Sequence, residues 1–259
     1  MQQTLWFLLI LSLLMTSCMP LSTNLPQSEN IAPAPTLDLP TDITSITDAT
    51  SPLTLNADGI LYADSFMLAP FNQGGLTILL NLQPFLYEAG LQCGWNDWTR
   101  YSSLEEQNRW VEDGASHFTG RLPGGKSIYH QKIYPEGREV HLELTLEPNG
   151  EADQINWAEF SFYLPLQTFQ NQRYLSDQGE GTYPSDYDGT GSLAENLSEL
   201  QLMPADPTRN LTLRAENAIS LSDGRKWGSQ MYMVSVALPT DGSPLHFTLT
   251  PPPDRKSVV

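Results

Sequence analysis

The sequence predicts an all-β protein, a large antiparallel β-sandwich that follows a signal peptide and a disordered tether. Apolar and polar residues alternate with a period of two in several runs, of which residues 140–146 are the clearest, and that period is typical of a half-buried strand. Turn signals such as Asp223-Gly224 and Asp241-Gly242 separate these runs. Helical periodicity is nearly absent, and this combination indicates a sandwich.

Residues 1–17 form the first element, which we interpret as a lipoprotein signal peptide. The apolar run 5–15 has eleven residues, which is too short for a bilayer span of about 20 residues but suits a signal-peptide core. It leads into Thr16-Ser17-Cys18, so Cys18 is the predicted lipidation site and the membrane a predicted partner. An ordinary secretory signal is the alternative, because residues 1–4 contain no Lys or Arg.

Residues 18–51 begin with the lipidated cysteine and continue as a predicted disordered tether. After Cys18 they hold five prolines and ten Ser or Thr, but no aromatic or basic residue. Such a segment cannot bury enough apolar surface to offset the entropy of ordering. Signal, lipid and tether together predict an exported protein of the bacterial cell envelope, lipid-anchored on the periplasmic or surface side.

Residues 52–250 are long enough for one folded domain, the predicted β-sandwich. The net charge of −17 argues against nucleic acid and anionic lipid headgroups as direct partners, since both attract basic surfaces. Cys93 is the cysteine that remains once Cys18 carries lipid. Its apolar neighbours predict a small buried side chain rather than a nucleophile.

Strand patterns cover most of this domain. Residues 155–164 are apolar on both faces, so this strand is predicted to be central. Asn149-Gly150 supplies the turn chemistry for a hairpin that joins it to residues 140–146, and residues 103–111 are predicted as a short helix. The remaining predicted strands span residues 76–82, 116–122, 127–134, 211–215, 231–238 and 245–250.

Two glycine-rich stretches match nucleotide-binding patterns by spacing alone. Residues 120–127 fit the phosphate-loop pattern, but a strand-like run follows where the chemistry needs a helix. Residues 189–194 fit a dinucleotide pattern without the β-α alternation that should surround it. We therefore expect a hairpin turn at 120–127 and no nucleotide partner. The four histidines show no metal-ligand spacing and are expected at solvent-facing strand positions.

An aromatic and polar segment, residues 95–101, is a candidate glycan site. Aromatic faces stack on sugar rings, while carboxylate and amide groups bind the hydroxyls. The candidate carbohydrate-binding residues are Trp95, Asp97, Trp98, Tyr101 and Trp110, with Glu106 at the same rim. The alternative is that these aromatics fill the core, because tryptophan is highly buried on average.

The acidic stretch 176–189 is a candidate calcium site, and no other cofactor is expected. Asp177, Glu180, Asp186 and Asp188 lie there among glycines, and oxygen ligands on a flexible loop suit Ca²⁺. The spacing is not that of the twelve-residue calcium loop. A solvated surface loop is therefore the alternative.

The body of the chain also resembles a known kind of domain. Residues 125–134, 140–146 and 157–166 have the strand rhythm of the N-terminal mutarotase-like β-sandwich, or supersandwich, domains of secreted bacterial glycoside-hydrolase-like proteins. The resemblance spans about residues 68–250 and implies a carbohydrate-related sandwich. The His-Gly signature of sugar mutarotases is absent from the sequence, so the resemblance implies no catalytic residue here.

Residues 251–259 are a predicted tail. Residues 254–259 match, codon for codon, the translation of a common sequencing-library adapter, and we expect them to be an artefact. Pro251-Pro252-Pro253 suits the start of a linker. In that interpretation the chain is an N-terminal fragment of a longer glycan-active protein.

Three functional hypotheses follow. The first is a membrane-anchored lipoprotein whose β-sandwich is a non-catalytic, carbohydrate-related module. The second is a glycan-active hydrolase with an acid/base pair drawn from Asp97, Glu105, Glu106 and Asp113, because glycoside hydrolysis uses two carboxyl groups. The third is a structural envelope lipoprotein that binds a protein partner. Glycan binding without turnover favours the first, turnover the second, and neither the third.

Overall fold

The computed structural model describes residues 52–252, apart from residues 64, 72–73, 95–97, 125–126 and 149–154. The predicted signal peptide, the lipidation site Cys18, the tether and the last six residues lie outside the described residues. Within the part of the chain that is described, no helix has the length and apolar character needed to cross a bilayer.

Strands dominate the described residues and helices are nearly absent from them, which confirms the all-β prediction. The strands are β1 Thr54–Leu55, β2 Leu61–Ala63, β3 Phe66–Phe71, β4 Gly75–Leu80, β5 Gln83–Pro84, β6 Glu88–Gly94, β7 Trp98–Arg100, β8 Glu105–Glu112, β9 Ala115–Arg121, β10 Ile128–Glu136, β11 Glu139–Glu147, β12 Trp157–Pro165, β13 Arg173–Ser176, β14 Gly179–Thr182, β15 Ser192–Leu202, β16 Leu211–Asp223, β17 Met231–Ala237 and β18 Leu245–Thr250. A single-turn helix, α1, spans Leu166–Phe169, and short 3-10 helices lie at Tyr101–Ser103, Pro207–Arg209 and Gly224–Trp227.

The strands pair in antiparallel fashion and form two half-sheets that share one long strand. The first half-sheet runs β8-β9-β10-β11-β18-β16. The second runs β1-β2-β3-β4-β6-β12-β17-β16. Strand β7 pairs with β6 on the same side as β4, further along β6. Strand β16 belongs to both because it pairs with β18 along residues 212–215 and with β17 along residues 219–223.

The core lies between the half-sheets, where aromatic side chains from both meet. The rings of Phe160 and Phe162 on β12 lie 5.6 and 6.1 Å, centroid to centroid, from Phe247 on β18. Burying one such side chain fully stabilises a fold by about 1.5–3 kcal/mol, so these contacts hold the sandwich closed. Cys93 on β6 is fully buried in the same core, as predicted, and burial raises the pKa of its thiol to about 12.

Several sequence predictions are confirmed by this topology. The strand predicted to be central lies within β12, between β6 and β17. The alternating run 140–146 lies within β11, with its apolar side buried. The glycine-rich stretch 120–127 joins β9 to β10 as a hairpin, and Leu122 N donates a 3.0 Å hydrogen bond to Ser127 O at its base.

Two local predictions are wrong. Residues 103–111 are not a helix, because after a 3-10 turn they enter the edge strand β8, which is held by its pairing with β9. The residues flanking Asn149-Gly150 do not form a hairpin, since β11 pairs with β10 and β18 whereas β12 pairs with β6 and β17. The connection between β11 and β12 therefore joins the two half-sheets.

Candidate functional site

The predicted aromatic segment lies at the connection between β6 and β7. Trp95 and Asp97 are outside the described residues, and Trp98 begins β7 without a described side chain. In the backbone ladder Trp98 pairs with Gly94 on β6, and Gly94 pairs on its other side with Trp157 on β12. The segment therefore adjoins a tryptophan that is not among the predicted site residues.

Among the described side chains of this region, Trp157 is an exposed aromatic residue, with 42 % of its surface accessible. Its indole packs on the backbone of β6 at Gly94, where an added Cβ would come within 2.7 Å of the ring atom Cε2. That separation is too short for two carbon atoms, so the indole can lie here only while residue 94 is glycine. The strand supports one part of the ring, and the rest stays open to solvent.

Outward side chains of the neighbouring strands continue this surface, which we call the tryptophan face. Residues that pair in an antiparallel ladder point to the same side of the sheet. The face consists of three cross-strand rows, namely Gly94 and Trp157, then Arg100, Gln92 and Glu159, then Gly90, Ser161 and Ser235, and the backbone of Trp98 pairs beside the first row. Exposure falls along β12 from Trp157 to the fully buried Ser161, so the face is open at its tryptophan end.

Glu159 is the carboxyl group between the open and the enclosed parts of the tryptophan face. Its Oε1 accepts a 2.7 Å hydrogen bond from Ser161 Oγ, which lies 3.4 Å from Ser235 Oγ. Burial raises the pKa of Glu159 by more than the hydrogen bonds from these two serines lower it. A carboxyl group of this kind keeps its proton to a higher pH than an exposed glutamate.

Tyr101 belongs to the frame of this face. It is 1 % exposed, and its ring covers Gly90, where an added Cβ would lie 2.7 Å from the ring atom Cγ. Its hydroxyl donates to Glu88, which also accepts from Arg100. The Arg100 guanidinium lies 5.4 Å from the ring centroid of Tyr163, whose pKa burial raises to about 12. This network ties β6, β7 and β12 together and leaves no Tyr101 surface for a ligand.

Trp110 lies on β8 of the first half-sheet, apart from β6 and β7. Its indole stacks on His117 of β9, with ring centroids 5.1 Å apart and an interplanar angle of 9°. Its Nε1 donates a 3.3 Å hydrogen bond to Glu112. Glu106, the other predicted rim residue, forms a 2.8 Å ion pair with Arg121 on β9. The structure therefore places these two residues on a different half-sheet from the predicted aromatic segment.

The acid/base candidates of the sequence are not brought onto the tryptophan face. Glu105 and Glu106 are exposed on β8. Asp113 is exposed in the turn after β8, with a left-handed φ of 50°. Asp97 is outside the described residues. The three described carboxylates thus belong to the edge of the first half-sheet.

The four candidate calcium ligands make separate contacts. Glu180 lies on β14, so the acidic stretch is a strand followed by a loop. Hydrogen bonds from the backbone and hydroxyl of Thr190 lower the pKa of Asp188. In the described parts of the chain, no three His, Cys, Asp or Glu side chains are grouped in a way that could hold a metal ion. The hydrogen-bonded or ion-paired partners are Asp177 with Ser198, Glu180 with Arg173, Asp186 with Ser185, and Asp188 with Thr190.

The histidines occupy the outward side of the first half-sheet, which confirms their predicted positions. Among them lies Glu143, which accepts hydrogen bonds from Lys132 Nζ at 3.3 Å and from Tyr134 OH at 3.1 Å. Burial raises the pKa of Glu143, but the hydrogen bonds from Lys132 and Tyr134, together with the charges of Lys132 and His246, lower it overall, so this carboxylate is ionised and already paired at neutral pH. The four histidines are His117 on β9, His130 on β10, His141 on β11 and His246 on β18.

Comparisons with known proteins find similar folds at low identity. No protein-family model and no curated protein matches the chain. The Slr1438 protein of Synechocystis sp. PCC 6803 is 10 % identical, with a TM-score of 0.46 over 82 % of this chain and 99 % of that one. A putative aldose 1-epimerase of Escherichia coli K12 is 10 % identical, with a TM-score of 0.44 over 77 % of this chain and 98 % of that one.

A glycoside hydrolase family 97 enzyme of Pseudoalteromonas sp. strain K8, solved with acarbose, is also similar in structure. It is 10 % identical, with a TM-score of 0.43 over 76 % of this chain, and the match covers 35 % of that enzyme's length. All three TM-scores lie below 0.5, so these likenesses assign neither a family nor an activity to the chain. Its all-β architecture rests on the strand pairing itself.

Proposed function

We propose that this protein is an exported, lipid-anchored module that binds a glycan at the tryptophan face without cleaving it. The exposed Trp157 indole carries this proposal, because it packs on Gly94 in register with Trp98 and lies beside a row of polar side chains. The sequence supports the anchor through Thr16-Ser17-Cys18.

The chemistry of the face suits a sugar. A sugar ring has apolar C–H surfaces and a rim of hydroxyls, so its sites combine an aromatic ring with adjacent hydrogen-bonding groups. Trp157 supplies the ring. In the next row Glu159 can accept or, when protonated, donate. Its row neighbours are engaged within the protein, since Gln92 is 5 % exposed and donates to Met233 Sδ, and Arg100 pairs with Glu88. Because β12 is a central strand, these groups are held on a rigid support.

The carboxyl groups of the face favour binding over hydrolysis. Glycoside hydrolysis generally needs two carboxyl groups about 5–10 Å apart. Among the described residues of β6, β7, β12 and β17, the outward carboxylates are Glu159 and Glu88. Glu88 pairs with Tyr163, four residues along β12 from Glu159, which is a backbone separation of about 13 Å. Glu88 is also occupied by Arg100 and Tyr101.

One observation favours hydrolysis as a second candidate function. The raised pKa of Glu159 is a property of general acids in glycosidases. The second carboxyl group would then be Asp97, which follows β6 in the sequence. A hydrolysis screen separates the two functions, because turnover that Glu159→Gln and Asp97→Asn each abolish supports the enzyme, whereas binding without turnover supports the module.

A glycan array followed by calorimetry tests the proposal, with two tryptophan variants as a matched pair. Trp157→Ala removes the ring of the tryptophan face, and Trp227→Ala removes a ring that is 55 % exposed elsewhere. We expect Trp157→Ala to weaken binding about tenfold or more, because the stacking contact is worth about 1.4 kcal/mol, and Trp227→Ala to bind as wild type. Equal affinities of both variants, or no bound glycan, would contradict the proposal.

Labelling with a radioactive fatty acid tests the anchor. Wild type should take up label and Cys18→Ser should not. Label that is equal in the two proteins, or absent from wild type, would refute lipidation at this cysteine while leaving the glycan site untouched.

A further inference from the structure

The open end of the tryptophan face places an aromatic ring beside a carboxyl group. Trp157 and Glu159 are two residues apart on β12, so their side chains lie on the same side of the sheet with their Cα atoms about 7 Å apart. Trp157 is exposed and Glu159 is half-buried. Opposite Glu159 on β17 is Ala237, whose small and exposed side chain leaves room beside the carboxyl group. One ligand can therefore contact the ring and the carboxyl group together.

Among the described residues, the hydrogen-bond partners of the Glu159 carboxyl group are neutral. They are the hydroxyls of Ser161 and Ser235, which use only part of the acceptor capacity of a carboxylate. Arg100 belongs to the same cross-strand row but lies beyond β6 and is paired with Glu88. Burial raises the pKa of Glu159, whereas an opposite charge close to a carboxyl group favours its ionised form. A positively charged ligand group would therefore gain an interaction that the protein does not itself provide.

The sequence around this end of the face is acidic. Three connections adjoin the first two rows in the sequence, namely residues 95–97, 148–156 and 238–244. They contain no Lys, Arg or His, but four acids, which are Asp97, Glu151, Asp153 and Asp241. In a chain whose net charge is −17, this composition attracts a cationic ligand and repels an anionic one.

An amino sugar carries both kinds of group that this surface can bind. Its ring offers C–H groups to an aromatic face, and its protonated amine is attracted to a tryptophan ring and to a carboxylate. N-acetylation removes that charge, and a uronic acid carries the opposite one. We propose that the tryptophan face binds a glycan with unacetylated amino sugars, whose ring stacks on Trp157 and whose ammonium group pairs with Glu159. This inference rests on the proposed glycan binding and names the class of its ligand.

Titration calorimetry with three β-1,4-linked tetrasaccharides tests this preference. The tetramers of glucosamine, N-acetylglucosamine and glucose share a backbone and differ in charge. We expect the glucosamine tetramer to bind about tenfold tighter than the other two, and Trp157→Ala to weaken its binding. Equal or tighter binding of a neutral tetramer that Trp157→Ala weakens would overturn the amino-sugar preference and leave the glycan site standing. Binding of all three tetramers that is independent of Trp157 would refute the proposed function itself.

Two glutamate variants separate a specific pairing from the overall negative charge of the chain. Glu159→Gln removes the charge of the face but keeps the shape of the side chain, and it should lower the affinity for the glucosamine tetramer to that for the glucose tetramer. Glu105→Gln is the matched control, because it removes the same charge from the exposed edge strand β8, and it should bind as wild type. Equal losses in the two variants, or no loss in Glu159→Gln, would overturn the role of Glu159.

Tetralysine serves as a cation that has no sugar ring. At physiological ionic strength, where long-range attraction is largely screened, it should bind more weakly than the glucosamine tetramer. Tetralysine that binds as tightly, and that Glu159→Gln weakens equally, would show that the face selects a positive charge alone and would overturn the assignment to an amino sugar.

Discussion

Two glycine positions give a direct test of how the tryptophan face is built. Gly94→Ala and Gly90→Ala place the same methyl group against two aromatic rings, since the added Cβ would lie 2.7 Å from Cε2 of Trp157 in the first case and 2.7 Å from Cγ of Tyr101 in the second. The two aromatic side chains differ in how freely they can move away from the added methyl group. Trp157 is 42 % exposed, whereas Tyr101 is 1 % exposed and donates to Glu88.

The two variants should therefore separate stability from binding. Overpacking a buried ring costs about 1–3 kcal/mol, and in a domain of 150–250 residues each kcal/mol shifts Tm by about 2–4 °C. Gly90→Ala should thus lower Tm by about 2–12 °C. In Gly94→Ala the exposed indole can swing into solvent, so Tm should fall by less than about 2 °C. Glycan affinity should still fall about tenfold, because the displaced ring no longer meets the sugar.

Differential scanning calorimetry and titration calorimetry measure both effects on the same samples. If Gly94→Ala melts as early as Gly90→Ala, then Trp157 is fixed in place and the description of an open ring is wrong. If Gly94→Ala keeps wild-type affinity, the indole held on β6 is not what binds the glycan, and the glycan site at the tryptophan face is refuted.

Three further predictions concern charged and polar groups. Because burial raises the pKa of Glu159, the folded state holds this proton more tightly than the unfolded state does, so Glu159 lowers stability as pH rises through its folded pKa. Glu159→Gln should raise Tm at pH 8 and change it little at pH 3.5; a lower Tm at pH 8 would contradict this. Tyr101→Phe removes a donor to half-buried Glu88 and should cost about 1–3 kcal/mol, so an unchanged melting curve would refute the network. EDTA should leave Tm unchanged, because the four acids of residues 177–188 have separate partners; a calcium-dependent rise in Tm that Asp186→Asn removes would restore the calcium site.

Strand periodicity predicts much of this fold because the alternation of apolar residues shows which side chains of each strand point inward. Residues 245–250 match β18, and the doubly apolar run around Phe160 and Phe162 is central. Which strands pair with one another is harder to predict from the sequence. Asn149-Gly150 has hairpin chemistry, but local turn preference cannot show that the strands on either side belong to different half-sheets. Strand β8 is rich in Glu and Gln and resembles a helix until β9 lies beside it.

The sequence predicts the candidate site only in part, for the same reason. The sequence shows that Trp157 points away from Phe160 and that an aromatic segment follows Gly94. Nothing local shows that Gly94 and Trp157 are opposite each other, because this register depends on the packing of the whole sandwich. The strand alternation likewise predicts Glu159 to be an ordinary outward residue. Its raised pKa arises from burial among strands that are distant in sequence.

The location of a bound glycan tests the central claim most directly. Once the array has identified a ligand, intermolecular nuclear Overhauser effects between that oligosaccharide and the protein can be measured by NMR. Glycan binding at the tryptophan face predicts contacts to the indole protons of Trp157 and to the side-chain methylene protons of Glu159. Contacts confined to other surfaces, with none to Trp157, would contradict it.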